Sequence, residues 1–224
     1  MLWREYRRGK ALEHPLFPRM YDFWQDGEYG YLLMEYVPGT NVKKMLERRG
    51  HFSANRTIEV GMELAEGLLY LHEQAGLLFR DVKPENIIVR QDGRVKLLDL
   101  GCASPNGCRQ ESLAGTPEFG APEQFEEGRC LDVTCDIYAL AGTMDKMLGV
   151  FPKGKRLKKI LNHCREEDPK CRIPDMRLFL NLLGEVLNGK GRGKYIYKRR
   201  MICHKNIWER SYKTLDVSWK VEYT

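Results

Sequence analysis

Residues 77–101, LLFRDVKPENIIVRQDGRVKLLDLG, hold three short apolar runs within one stretch. Leu77-Leu78-Phe79, Ile87-Ile88-Val89 and Val95-Lys96-Leu97-Leu98 each have strand length, and Asp92-Gly93 predicts a turn joining the last two as a hairpin. Strands packed this closely leave loops in which Asp81, Lys83, Asn86 and Asp99 converge. Hard carboxylate and carboxamide oxygens suit magnesium, and a lysine ammonium suits phosphoryl oxygens. Acid, base, amide and acid at strand ends therefore predict a site that holds a divalent cation beside a phosphate, as phosphoryl transfer requires.

Three motifs recur outward from this stretch in a fixed order: Arg80-Asp81-x-Lys83-Pro84-x-Asn86, Asp99-Leu100-Gly101 and Ala121-Pro122-Glu123. Together they resemble the catalytic loop, metal-binding tripeptide and activation-segment end of eukaryotic-type, bacterial-like serine/threonine protein kinases. The resemblance implies an α+β fold of the protein-kinase kind, with a small lobe above a mainly helical large lobe. It implies transfer of the γ-phosphate of ATP to a serine or threonine hydroxyl of a protein. Asp81 is then the expected base, Asn86 and Asp99 the expected Mg2+ ligands, and Lys83 the contact to the transferred phosphate. Phe79 stands where the family usually has histidine, and Leu100 where it usually has phenylalanine. Both changes exchange one packing role for another and leave every charged group of the motifs in place.

The whole chain has 224 residues, 42% hydrophobic and 30% charged, which is ordinary globular composition. No apolar run approaches ~18 residues, and MLWREYRRGK lacks the apolar stretch of a signal peptide, so a cytoplasmic protein is expected. Seven cysteines without a C-x-x-C pair predict free thiols and no zinc site. The net charge of +6 is uneven: from Lys190 onward there are ten Lys/Arg against three Asp/Glu. The part that carries the motifs is near neutral, and the tail is basic.

Upstream, residues 1–15 predict a helix ending before His14-Pro15, because the residue before proline leaves helical geometry. By resemblance Glu5 is the regulatory glutamate that pairs with an ATP-contacting lysine; as bare chemistry it is equally a solvated charge beside Arg4, Arg7 and Arg8. YDFW and YGYLLMEY predict two strands joined at Asp26-Gly27. Glu35 and Val37, after Met34, resemble the hinge whose backbone meets adenine; Asn41, opening a helix over Val42–Arg49, lies near the ribose place, and Ile88 completes the expected ATP contacts.

Downstream, Ser53 is the expected N-cap of a long helix to His72, with Ile58, Met62, Ala65 and Leu69 on one buried face and Gly61, Leu64, Leu68 and Leu71 beside them. Residues 102–123 are rich in Gly, Pro, Ser and Cys and predict a loop. There the resemblance makes Gly115-Thr116-Pro117 part of a peptide-substrate platform, with Thr116 beside Asp81 and Lys83. It also makes Arg80 the regulatory residue that pairs with a phosphorylated loop, for which Ser104, Ser112 and Thr116 offer hydroxyls. Asp136 opens an apolar helix over residues 132–148 and is either a plain cap or, by resemblance, the family's aspartate that receives hydrogen bonds from the catalytic-loop backbone. By resemblance Arg172 is the expected partner of Glu123, and Pro174 opens a last helix with Met176, Phe179, Leu180 and Leu183 inward.

Only four residues precede Glu5, whereas three strands of ~5–6 residues with turns need at least about 20, so the glycine-rich loop and third-strand lysine of such kinases are not expected here. The expected organisation is a small-lobe remnant over 1–37, a large lobe over 38–189 and a basic aromatic tail over 190–224. A second reading keeps the fold as a scaffold without phosphotransfer. A third gives the tail the leading part, as an adaptor for anionic partners. Tyr195, Tyr197, Trp208, Tyr212, Trp219 and Tyr223 among its bases suit a membrane surface, with nucleic acid the less favoured partner. Alternation over 215–223 predicts a half-buried strand in that tail.

Overall fold

The computed structural model describes residues 2–110, 113–149 and 155–189; Ser112 and the tail with its expected strand lie outside them. The chain divides into two units, Met1–Gly184 and Glu185–Thr224, and the candidate site lies within the first. Its small upper part consists of helix α1 (Leu2–Gly9) and the antiparallel pair β1 (Met20–Asp26) and β2 (Tyr29–Met34). Asp26 pairs with Tyr29, so the turn is two residues long, and Gly27 takes its first place at φ 57°. The α1 helix is shorter than its proline-limited sequence predicts. It stops at Gly9, a poor helix former, and a Cβ there would come within 2.6 Å of Met20 Cγ.

The lower part opens with β3 (Thr40–Asn41) and α2 (Val42–Arg49), followed by the long α3 (Ala54–Glu73). The expected Ser53 cap is in place, its Oγ accepting the Arg56 amide at 3.2 Å, and Asn41 caps α2, its Oδ1 accepting the Lys44 amide at 2.8 Å. Of the three strands predicted in 77–101, two form the hairpin β5 (Ile87–Val89) and β6 (Val95–Leu97), with β3 paired on the other edge of β5. The first, β4 (Leu77–Leu78), joins a separate two-stranded sheet with β7 (Ser104–Pro105), because Phe79 turns away into the core.

Beyond the 102–123 loop come α4 (Thr134–Leu148), α5 (Lys155–Cys164) and α6 (Met176–Leu187). Small sheets above a mainly helical body give the α+β class that the motifs imply. No helix among the described residues is long and apolar enough to cross a membrane. In α6 the buried positions are Met176, Phe179, Leu182 and Leu183, with Leu180 only half-buried, so the inward face is turned slightly from the expected one.

The α3 helix is the central post, and glycine makes its close contacts possible. A Cβ on Gly67 would stand 2.1 Å from Leu16 Cδ2 and 2.7 Å from Leu16 Cβ, whereas one on Gly184 would meet Met62 Cε at 3.9 Å. Gly67→Ala is therefore expected to lose about 1–3 kcal/mol through overpacking. Gly184→Ala, placed where a helical glycine has room, should be neutral or stabilising by about 0.5–1 kcal/mol. Urea denaturation checks both; equal midpoints for the two variants would contradict this packing.

Candidate active site

The β5–β6 register builds the site's floor. Ile87 pairs with Leu97 and Val89 with Val95, so Asn86 and Asp99 flank one end of the ladder, and Asn86 O accepts the Leu98 amide at 2.8 Å. Asp99 adopts φ 72°, a left-handed conformation that a short polar side chain tolerates, and its Oδ1 accepts the Gly101 amide at 3.0 Å. On the other edge of β5, Asn41 pairs with Ile88. Gly39 lies so close above that a Cβ would come within 2.5 Å of Val89 O.

The loop between β4 and β5 contributes the charged groups. Asp81 is buried, and Lys83 Nζ donates to its Oδ2 at 2.6 Å. Asn86 Nδ2 donates to Asp81 O at 3.0 Å and to Oδ2 at 3.3 Å. Thr116 closes the group: its hydroxyl donates to Asp81 Oδ1 at 2.7 Å and accepts from Lys83 Nζ at 2.8 Å. Lys83 and Asn86 from the motif stretch and the threonine from the following loop thus meet around the Asp81 carboxylate, while Asp99 stands at the end of the ladder with its own bond to Gly101.

Arg80 also takes a left-handed φ of 72°, a strained geometry for a long side chain, and persists because its neighbours hold it. The Asp136 carboxylate, fully buried at the start of α4, accepts the Arg80 amide at 2.7 Å and the Phe79 amide at 2.8 Å. It is therefore not a plain cap; Asp132 Oδ1 accepts the Thr134 amide at 2.9 Å instead. His72 Nε2 donates to Asp136 Oδ2 at 2.8 Å, and two turns along α4 Thr143 donates to Val82 O at 3.0 Å. Below, Arg172 and Glu123 form the expected bidentate pair, at 2.6 and 2.8 Å, with the Arg172 side chain fully buried.

Two expected residues have surroundings that the sequence does not disclose. Glu35 gives its carboxylate to Lys96 Nζ at 2.8 Å, and its own amide donates to Arg19 O at 2.8 Å. Burial alone would raise its carboxyl, but Lys96 and the Arg19 amide outweigh burial and hold it below the ordinary range. Val37 is half-buried in the segment that follows. Glu5 is buried, which rules out the solvated reading. Its carboxyl is pushed above 4.5 first by burial and then by the nearby Asp99 charge, with the Leu100 amide opposing.

Three polar residues of this region carry no motif: His72, Gln110 and Gln124. Gln124 Nε2 donates to Arg80 O at 2.8 Å and to Ala114 O at 3.0 Å, while its Oε1 accepts the Ala121 amide at 3.0 Å. Their only sequence signal is a polar residue at a buried spacing, as with His72 four residues after Leu68 on α3.

The Glu5 environment sets a pH dependence. Its folded carboxyl titrates above the unfolded value near 4.5, so its share of stability is fully present below 4.5 and is lost as pH rises through the folded pKa. Glu5→Gln keeps an oxygen for the Leu100 amide and removes the charge. The variant should gain stability relative to the parent as pH rises from below 4.5 through the folded pKa, read from urea midpoints. A pH-independent difference would contradict the buried placement beside Asp99.

Comparison with known proteins agrees with the geometry. A family model described as "Protein kinase domain" matches residues 1–177. The human cAMP-dependent protein kinase catalytic subunit PRKX is 38% identical over 146 residues, 64% of this chain and 39% of that protein. Aurora kinase A-A of Xenopus laevis is 34% identical over 141 residues, 62% of this chain and 34% of that protein. The Aurora kinase of Eremothecium gossypii is 32% identical over 164 residues, 72% of this chain and 44% of that protein. The chain spans less than half the length of these three curated relatives. With a family match over most of its length and serine/threonine kinases among its relatives, the chain belongs to the protein kinase family.

Proposed function

We propose that the chain is a serine/threonine protein kinase that transfers the γ-phosphate of ATP to a protein hydroxyl, with Asp81 as the base. One observation carries this reading: the Asp81 carboxylate already accepts a hydroxyl, that of Thr116, at 2.7 Å while Lys83 stands 2.6 Å away on the other oxygen. A carboxylate that accepts a hydroxyl proton donor beside a cation has the arrangement that orients a nucleophilic oxygen toward a phosphoryl group. Lys83 then offsets the charge of the transferred phosphate, and Thr116 positions the two side chains.

The donor set fits Mg2+. Asn86 commits its Nδ2 to Asp81 and Asp99 commits Oδ1 to Gly101, which leaves one carboxamide and one carboxylate oxygen at the end of the β5–β6 ladder. Two hard oxygens suit an ion that keeps waters and phosphate in its shell. When bound, the ion would neutralise phosphate charge. ATP would lie against Ile88 and Asn41, with the Glu35 carbonyl and the Val37 backbone meeting the base; the Glu35 carboxylate and amide are committed elsewhere. In this reading Arg80 and Glu5 are regulatory: Arg80 orders the turn that carries Asp81, and Glu5 lies near Asp99. The proposed setting is the cytoplasm, where thiols such as the buried Cys135 and Cys164 stay reduced. Zinc has no part in it, nucleic acid is not the proposed partner, and surface contact through 190–224 belongs to the tail alone.

The test measures ATP·Mg2+ binding and label transfer from ATP to a serine- or threonine-containing protein, for the chain and for Asp81→Ala. Loss of the base should lower transfer by about 10²–10⁴-fold and leave nucleotide binding nearly unchanged. Equal transfer by both proteins would sink the enzymatic reading, and binding without transfer in the parent would leave the scaffold reading.

A further inference from the structure

We propose that Gln110 is a positioning residue whose side-chain amide clasps the 113–126 segment onto Arg80, and so onto the Asp81 site, in the unphosphorylated chain. The clasp rests on the kinase reading only for its effect on activity.

Arg80 immediately precedes Asp81 and is 4% exposed. A buried guanidinium is costly unless it finds acceptors, and it has only donors to offer. Its Nη2 donates to Gln110 Oε1 at 2.9 Å. The other end of the same amide donates in the opposite direction, from Nε2 to Glu123 O at 3.2 Å and to Glu126 O. Gln110 is itself buried. A carboxylate at this place would satisfy Arg80 but face two carbonyl oxygens, and an ammonium would satisfy the carbonyls but face the guanidinium. A carboxamide joins the guanidinium donor to the carbonyl acceptors here, and asparagine is one methylene shorter.

Gln124 makes the matching connection from the far side, from Nε2 to Arg80 O and Ala114 O. Among the described residues, Asp136 accepts the Arg80 amide, Gln124 donates to the Arg80 carbonyl and Gln110 accepts from the Arg80 guanidinium. The segment held this way contains Thr116, whose hydroxyl meets Asp81 Oδ1. Opening at Gln110 therefore loosens Thr116 and the adjoining platform, while the β5–β6 end with Asn86 and Asp99 keeps its own hydrogen bonds. Every atom of the clasp belongs to the unmodified chain.

The experiment uses the full chain, verified as unphosphorylated by mass, with Gln110→Met (equal length, no hydrogen bonds) and Gln110→Glu (acceptor kept, donor lost). Gly67→Ala serves as a control that lowers stability away from the clasp. Under native conditions chymotrypsin cleaves after Phe119, which is 5% exposed, only when the segment opens. Cleavage should rise about tenfold in Gln110→Met, less in Gln110→Glu and not in Gly67→Ala. Protein-substrate KM should rise several-fold in Gln110→Met with the KM for ATP within about twofold. Equal cleavage in Gln110→Met and Gly67→Ala, or no difference between the Met and Glu variants, would overturn the clasp. If the parent transfers no phosphate, the kinase reading fails, and the cleavage pattern still decides the clasp.

Discussion

The Asp136 carboxylate is the interaction on which the rest of the site depends. Removing a carboxylate from water costs several kcal/mol unless donors replace the lost hydration, and three do so here: the Phe79 amide, the Arg80 amide and His72 Nε2. These donors come from α3 and from the loop after β4, so α4 ties together elements 56 to 64 residues away in sequence. The left-handed turn at Arg80 follows from this anchoring. That turn sends the Arg80 side chain toward Gln110 and sets Asp81 against Lys83, Asn86 and Thr116.

The electrostatics are arranged in layers around this anchor. Asp81 has a cation on one oxygen and a hydroxyl on the other, which keeps a buried carboxylate satisfied while leaving its hydroxyl partner exchangeable. Asp99 has a different balance, with the Gly101 amide as donor to Oδ1 and the buried Glu5 carboxyl nearby, whose pKa the Asp99 charge helps to raise. Farther off, Lys96 spends its ammonium on Glu35 and on Phe17 O, a structural pairing that joins β6 to the end of β2.

Much of this was legible in the sequence where chemistry and spacing coincide. The Asp92-Gly93 turn between apolar runs implies the hairpin, and the hairpin places Asn86 beside Asp99. The Ser53 cap follows in the same way, whereas the Glu123–Arg172 pair was expected from the family resemblance. What was not legible depends on tertiary partners. Asp136 reads alike as a cap or an anchor until α3 and the Arg80 loop are in place. Gln110 and Gln124 are neutral and match no motif, and only the three-dimensional meeting of a guanidinium with carbonyls gives them a role. The helix expected to run to His14 ends at Gly9, a poor helix former packed close against Met20. Phe79 and Leu100, which depart from the family pattern, are both fully buried, so their substitutions are absorbed as packing.

The central claim is that the two oxygens left by Asn86 and Asp99 hold the magnesium of a nucleotide. Titration calorimetry of ATP into the chain, with Mg2+ and with EDTA, tests it most directly when repeated on Asp99→Ala. The account predicts binding that requires Mg2+ and falls by at least about tenfold in the variant. Binding of equal strength with and without Mg2+, unchanged by Asp99→Ala, would contradict it.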